Sequence, residues 1–304
     1  WEGSKYVGIN LKWDYKNRTL DTSVPGYVES KLNQFGHQPP KKPQHSPAIA
    51  QPIKYGQKIQ KATPLNTSTN FSKDGIERIQ KVVGAFAWYA GATDPTMAKT
   101  LSSIAGRQAH ATEDLEKEVK HFMDYCATHS DAVVRFMASE MILALHSDAS
   151  YLSEPGAKSR AGGHFYLKDK TDRESNNGAI LTLSKIIKHV MSSASEEETA
   201  ALFLNCKAAI PLRIALEELG HPQPKTPVIT DNTSAEGLIN KTMIPKRAKA
   251  HDMRFNWLKC REAQKMFALI WKKGKDNKAD YHTKNHPAIH HQDKRGEYLA
   301  APAA

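Results

Sequence analysis

Cysteine is scarce in this sequence, and so is any spacing that would make it reactive. Cys126, Cys206 and Cys260 stand far apart, each inside an amphipathic helical pattern. That leaves neither a disulfide framework nor a CxxC metal knuckle, and buried reduced thiols are the reading. No stretch approaches the roughly eighteen apolar residues of a membrane span, no charged-then-apolar leader precedes the first strand-like segment, and no internal repeat is present. A soluble intracellular protein, or a piece of one, is expected. Acid is short as well: Asp and Glu number 32 against 43 Lys and Arg in 304 residues, a formal charge of +11. Such an excess favours a polyanionic partner.

The excess is concentrated. Between Lys241 and Lys275 eleven basic residues face two acidic ones, Asp252 and Glu262, with Phe255, Trp257, Phe267 and Trp271 among them. Basic side chains interleaved with aromatics suit a phosphate-holding surface, although aromatics at helical or strand spacing belong more often to a core. The charge is read as function and the aromatics as packing.

Alternation from Lys5 to Trp13, then "YKNRT", reads as a β-hairpin, and "GYVESKLNQF" as a short helix. Residues 37–73 carry six prolines and little periodicity, as a linker or long loop would. Three helical stripes follow within 74–134: Ile76 to Ala90 with Ser72 as N-cap, a second opened by Pro95, and a third with Leu115, Val119, Phe122, Met123 and Cys126 in phase. From Arg135 the texture becomes strand-like in "VRFMASEMILALHSD", "RAGGHFYLKDK" and "GAILTLSKI". A helix spans about Ser195 to Leu219 with Gly220 as its C-cap, then "TPVITDN" reads as a strand, "TSAEGLINK" and "DMRFNWLKCREAQK" as helices, "MFALIWKKG" as a strand, and "DNKADYHTKNH" as a last helix. Strands first, then helix and strand in alternation, give an α+β or α/β plan with a mixed sheet. The divisions expected are 1–36, 37–73, 74–134 and 135–304.

Asp148 is expected to close the first strand of the second half and Asp231 stands one step past "PVIT"; Glu196, Glu197 and Glu198 open the long helix and Asp280 the last one. Chemistry in α/β sheets collects at carboxyl ends of strands, so these acids are placed to converge. Crowded carboxylates are relieved by divalent cations, and Mg²⁺ takes such oxygens. Each acid taken singly is also explained as a helix cap, a favourable charge at a helix N-terminus or a solvated face.

Taken in order, "HSDASYLSEPGAKSRAGGHFYL", "SSASEEETAALF", "ITDNTSAEGL", "KAHDMRFNWLKCR" and "KGKDNKADYHTK" resemble the ribonuclease H domain of copia-type retrotransposon Pol polyproteins. "VVGAFAWYAGATDPTMAKTLSSIAGRQ" resembles the thumb and connection region at the end of the reverse transcriptase. The resemblance implies a ribonuclease H-like mixed five-stranded sheet with flanking helices, preceded by a small, mostly helical region. It implies RNA-strand cleavage in an RNA–DNA hybrid with two Mg²⁺ ions, for which Mn²⁺ substitutes, on Asp148, Glu198, Asp231 and Asp280. Helical phase favours Glu198, in line with Ala201, Leu202, Ala208, Ala209 and Leu212, and turns Glu197 away, with Glu196 the second choice.

Ser147 and Ser150 are expected as neighbours of the site. Lys241, Lys246, Arg247, Lys249, Arg254, Asn232 and Ser234 are expected on the nucleic acid, and His282 or His286 as an auxiliary group, although His282, His286, His290 and His291 also read as a solvated basic tail. Partners implied are the hybrid and the rest of the polyprotein, in the cytoplasm, within a virus-like particle, or in the nucleus. No Tyr-x-Asp-Asp turn occurs, so DNA synthesis by this chain is not expected; an integrase zinc module is missing too. Thr199 and His282 depart from the family pattern. They keep open an inactive nucleic-acid-binding remnant as the rival.

Overall fold

A computed structural model of the chain describes residues 3–49, 67–171, 177–189, 193–240 and 253–300. In chain order the elements are β1 (Lys5–Tyr6), β2 (Ile9–Asp14), β3 (Thr19–Ser23), α1 (Tyr27–Gln34), α2 (Lys73–Ala92), α3 (Ala98–Ala105), α4 (Glu113–Thr128), β4 (Val133–Met137) and β5 (Ile142–Glu154). There follow β6 (Lys158–Lys168), β7 (Leu181–Ile187), α5 (Ala194–Glu218), β8 (Thr226–Thr230), α6 (Thr233–Ile239), α7 (Met253–Ala263), β9 (Phe267–Trp271) and α8 (Ala288–Arg295). They fall into two compact units, and the second takes in Ser139 to Lys284.

The first unit holds a sheet of order β1-β2-β3-β4 and a helical layer. The strand expected from Lys5 to Trp13 is broken by a turn at Val7 and Gly8, both at positive φ. Ser72 and Thr112 cap α2 and α4 by accepting from Gly75 N and Leu115 N, which satisfies donors a helix start leaves open. Ile79, Val83 and Phe86 of α2 and Val119 and Phe122 of α4 are buried, and the Phe86 and Phe122 rings meet edge to face at 5.4 Å. Among residues 37–49, His37 reaches Asp124 and Gln44 N bonds Thr128, so this stretch is irregular but packed.

The boundary drawn at residue 135 shifts for a physical reason. "VRFMASEMILALHSD" is two strands of different sheets, separated where Met141 takes φ +59. β4 pairs with β3, Ser23 opposite Val133, and so belongs to the first unit. Residues 285–300 belong there too. Of the expected solvated tail, His291 is fully buried and its Nε2 lies 2.9 Å from the Tyr125 hydroxyl, while Arg295 reaches Asp94 at 3.3 Å. Burial and the Arg295 charge hold the His291 imidazole down at about 3.

The second unit is built on a five-stranded mixed sheet of order β7-β6-β5-β8-β9. β5, β6 and β7 form an antiparallel meander; β8 and β9 are parallel to β5 and to each other. The parallel pairs need crossovers, supplied by α5 before β8 and by α6 and α7 before β9. Leu143, Leu145, Phe165, Leu202, Cys206, Val228, Phe255, Leu258, Phe267 and Leu269 form one buried cluster, each side chain contributing roughly 1.5–3 kcal/mol by leaving water. An 18-residue window of α5 has a mean hydropathy of 1.4, which by length and composition alone passes for a membrane span. Its Leu202, Cys206, Ala209 and Leu216 belong to that core. At its end Gly220 takes φ +88, and His221 N donates to Leu216 O at 2.9 Å, closing the helix as expected.

Candidate metal centre

Register brings the first two acids together. In the parallel pair Leu145 faces Val228 and His146 faces Ile229; continued by two residues, this sets Asp148 level with Asp231, just past the end of β8. Asp148 is not at a strand end, as the sequence suggested: β5 runs on to Glu154, and Asp148 sits inside it opposite Gly162 of β6. The backbone stays paired there with β6 while β8 has already ended. The third acid comes from α5, where Ser193 caps the helix by accepting from Glu196 N at 3.3 Å and the first turn carries the glutamates. Oxygens of Asp148, Glu198 and Asp231 all lie within 4.8 Å of one another.

This convergence is electrostatically unfavourable without a cation. Asp148 is only 2% exposed, and burial, then the charge of Asp280, push its carboxyl up to about 7. Burial followed by the charges of Asp148 and Asp231 drives Glu198 well above the carboxylate range. Asp231 is raised mainly by burial. Glu198 Oε2 is buried and has no hydrogen-bond partner among the described residues, an arrangement that costs free energy unless something accepts its lone pairs. Three hard oxygen donors with no nitrogen or sulfur in the set fit Mg²⁺ or Mn²⁺ rather than zinc.

Asp280 stands apart from the three. It begins a short 3-10 turn, Asp280–His282, and its Oδ1 accepts from Lys284 Nζ. Its charge still raises both Asp148 and Asp231, so it lies within electrostatic reach of them. Thr283 Oγ1 donates to Asp148 Oδ2 at 2.7 Å and fixes that carboxylate.

Glu197 corrects the helical-phase reading. It is 1% exposed, hydrogen-bonded to Ser159 and pushed by burial to about 8. The buried stripe of α5 runs through Glu197, Ala200, Ala201, Asn205, Ala209, Arg213 and Leu216, with Ala208 and Leu212 only half buried, so the face is broader and turned toward 197. Glu198 still lies on the side where Asp148 and Asp231 meet it.

The other expected residues divide. Ser147 is buried, its hydroxyl taken by Asn205 Nδ2 at 2.8 Å and its carbonyl by Asn277 Nδ2 at 2.9 Å. Ser150 is buried as well. Asn232 is half buried, with its backbone N on Thr230 Oγ1 at 3.3 Å, a local turn bond. Arg254 is half buried on α7. Lys241, Lys246, Arg247 and Lys249 and the side chain of Ser234 lie outside the described residues. His282 is fully buried and stacks on His164 at 6.0 Å; it is a core group, neither an exposed auxiliary group nor part of a solvated tail. His286 is half buried in the first unit and stacks on His290 at 4.4 Å.

Sequence reasoning passed over Gly162 and Gly163. A Cβ on Gly162 would come within 2.5 Å of Ala279 O and 2.6 Å of Thr283 Cγ2, and one on Gly163 within 2.2 Å of Asn205 Oδ1. Bare backbone here lets the 279–283 segment and α5 approach β6 from opposite sides. The visible signal was the adjacent glycine pair inside a strand pattern.

A mixed sheet of this order, with carboxylates from its central strand, its neighbour's end and the crossing helix, makes this an α+β unit with an acidic centre. The chain is similar to a retrotransposon Pol polyprotein: it is 24% identical over 278 residues to the "Retrovirus-related Pol polyprotein from transposon TNT 1-94" of Nicotiana tabacum, a match covering 91% of this chain. It spans only 20% of that relative's length. No family model matches. Among solved structures, the N-terminal RNase H domain of a Mycobacterium tuberculosis protein, fused to maltose-binding protein, is 12% identical with a TM-score of 0.36, covering 52% of this chain and 97% of that one. LC11-RNase H1 in complex with an RNA/DNA hybrid is 13% identical with a TM-score of 0.35, over 46% and 93%.

Proposed function

We propose that this chain carries the ribonuclease H activity of a copia-type retrotransposon polyprotein, hydrolysing the RNA strand of an RNA–DNA hybrid. The observation that carries the reading is the meeting of Asp148, Glu198 and Asp231, from three separate elements, within 4.8 Å and at raised pKa. Those three would hold divalent cations, with Asp280 as a further oxygen donor once released from Lys284. Bound there, such ions supply an activated water and charge stabilisation on the leaving oxygen of a phosphodiester. Thr283 keeps Asp148 Oδ2 aimed, and Asn205 and Asn277 hold the hydroxyl and the carbonyl of Ser147 beside it, so the carboxylate needs little reorganisation. Burial holds all three clustered acids above the usual carboxylate range, and the Lys284 charge offsets only part of that rise.

A labelled hybrid incubated with Mg²⁺ or with a chelator tests this directly. Asp148→Asn and Asp231→Asn are expected to abolish Mg²⁺-dependent cleavage while leaving hybrid affinity nearly unchanged. Undiminished cleavage by either variant would sink the metal set. The rival, a binding module without turnover, draws on the ammonium of Lys284 already paired to Asp280; it requires hybrid binding without cleavage in either buffer.

A further inference from the structure

Of the aromatics in the basic stretch, Phe255 and Phe267 are buried and Trp257 packs against Phe203 with ring centroids 5.1 Å apart, but Trp271 is 43% exposed. The packing reading therefore fails for that one residue. Trp271 ends the edge strand β9, opposite Thr230, and its Nε1 donates to Asp231 O at 3.0 Å. The indole's polar edge is thus satisfied inside the protein while much of its apolar surface is left to water. Beyond it the chain stays close to the acids: Lys272 N donates to Thr230 O at 2.9 Å, and a Cβ on Gly274 would lie 2.9 Å from Asp231 Oδ2. Asp276 N closes the turn on Lys273 O at 2.8 Å, and Lys273 and Lys275 are exposed.

We propose that the loop Trp271–Lys275 is a nucleic-acid contact, the indole covering a sugar of one strand while Lys273 and Lys275 reach the phosphates on either side. The occupant follows from charge: the loop holds three lysines and no acid, on a chain of net charge +11. A phosphodiester strand offers what this surface lacks, anionic oxygens at regular spacing with apolar sugar faces between them. Its place beside Asp231 sets the contact next to the scissile bond. The inference rests on the nucleic-acid half of the function proposed above and not on cleavage.

The test is equilibrium binding of a fluorescent RNA–DNA hybrid by the full chain in chelator, where nothing is cut. Trp271→Ala is expected to weaken binding by about tenfold. Trp271→Phe, which keeps a ring but loses the Nε1 donor, is expected to bind within about twofold of the native chain. Changing Lys273 and Lys275 together to Ala should flatten the slope of log K against log salt by about two. Native affinity in Trp271→Ala, an unchanged salt slope in the lysine variant, or a phenylalanine variant as weak as the alanine one would each overturn the proposal. The lysines are exposed, so that arm holds even if the alanine variant folds poorly. Failure of the native chain to cleave in Mg²⁺, with the Trp271 effect intact, would remove the nuclease reading alone.

Discussion

Thr283 donates its hydroxyl to Asp148 Oδ2 at 2.7 Å, joining residues 135 apart in sequence. The same oxygen also lies 2.8 Å from Asp280 O, within hydrogen-bond distance, so one side chain with a single proton bridges the buried strand acid and the turn carrying the fourth acid. Thr283→Val keeps the shape and removes the donor. It is expected to lower hybrid cleavage by roughly tenfold, the worth of one charge-assisted bond, and Thr283→Ser to restore most of it. Equal activity of the valine and native chains in a cleavage assay would refute this orienting role.

The pH dependence follows from Asp148 with its sign. In the unfolded chain the group loses its proton near 4; in the fold it keeps it to about 7. Between those values the native state binds the extra proton, so raising the pH weakens the fold. Asp148→Asn has no such proton. Its melting temperature in chelator is therefore expected to gain on the native chain from about pH 4 to about pH 7 and to run level above. Comparing the two proteins cancels the opposing histidines, among them His146, held at about 3 by burial. Saturating Mg²⁺ at pH 8 should reverse the order, since only the native chain has the full ligand set.

Close approach at β6 is testable through Gly162→Ala. The added methyl meets Ala279 O and Thr283 Cγ2 at well under contact distance, and one of these is backbone. A loss of about 1–3 kcal/mol in urea unfolding is expected. Cleavage should fall further than stability explains, because Thr283 moves with the turn.

Arg160 is fully buried and its Nε lies 2.7 Å from Glu154 Oε1, with Nη1 3.0 Å from Ser184 Oγ. Glu154→Gln removes one charge of a desolvated pair and is expected to cost about 3–5 kcal/mol. Replacing both residues with Leu and Met should recover most of that loss. Thermal melting of the single and double variants checks both.

What could be read from the sequence followed how far each signal is local. Asp231 is placeable because "PVIT" is a short strand that ends at Thr230, where its apolar run ends. Reading Asp148 as a strand end misses its pairing: β6 begins at Lys158, two residues before the strand-like run from Arg160, and keeps β5 extended past Asp148. The glutamate run shows the limit of phase arguments. A sheet-facing helix buries a stripe wide enough to take in two neighbouring residues, so Glu197 and Glu198 are both covered while one joins the cluster. Thr283, Asn205 and Asn277 act through contacts from 58 to 135 residues away; "KGKDNKADYHTK" marks Asn277 and Thr283 without showing what they touch, and nothing marks Asn205.

The order of the chain through its two units has a practical corollary. Residues 285–300 follow the second unit in sequence yet supply the first with His291 for Tyr125, Arg295 for Asp94 and the bridge from Ala300 to Val133. The sheet bearing the acids is thus an insertion between two pieces of its neighbour. Trimming the last twenty residues would injure the helical unit, whereas cuts near 139 and 284 fall at the ends of the segment that bears the acids.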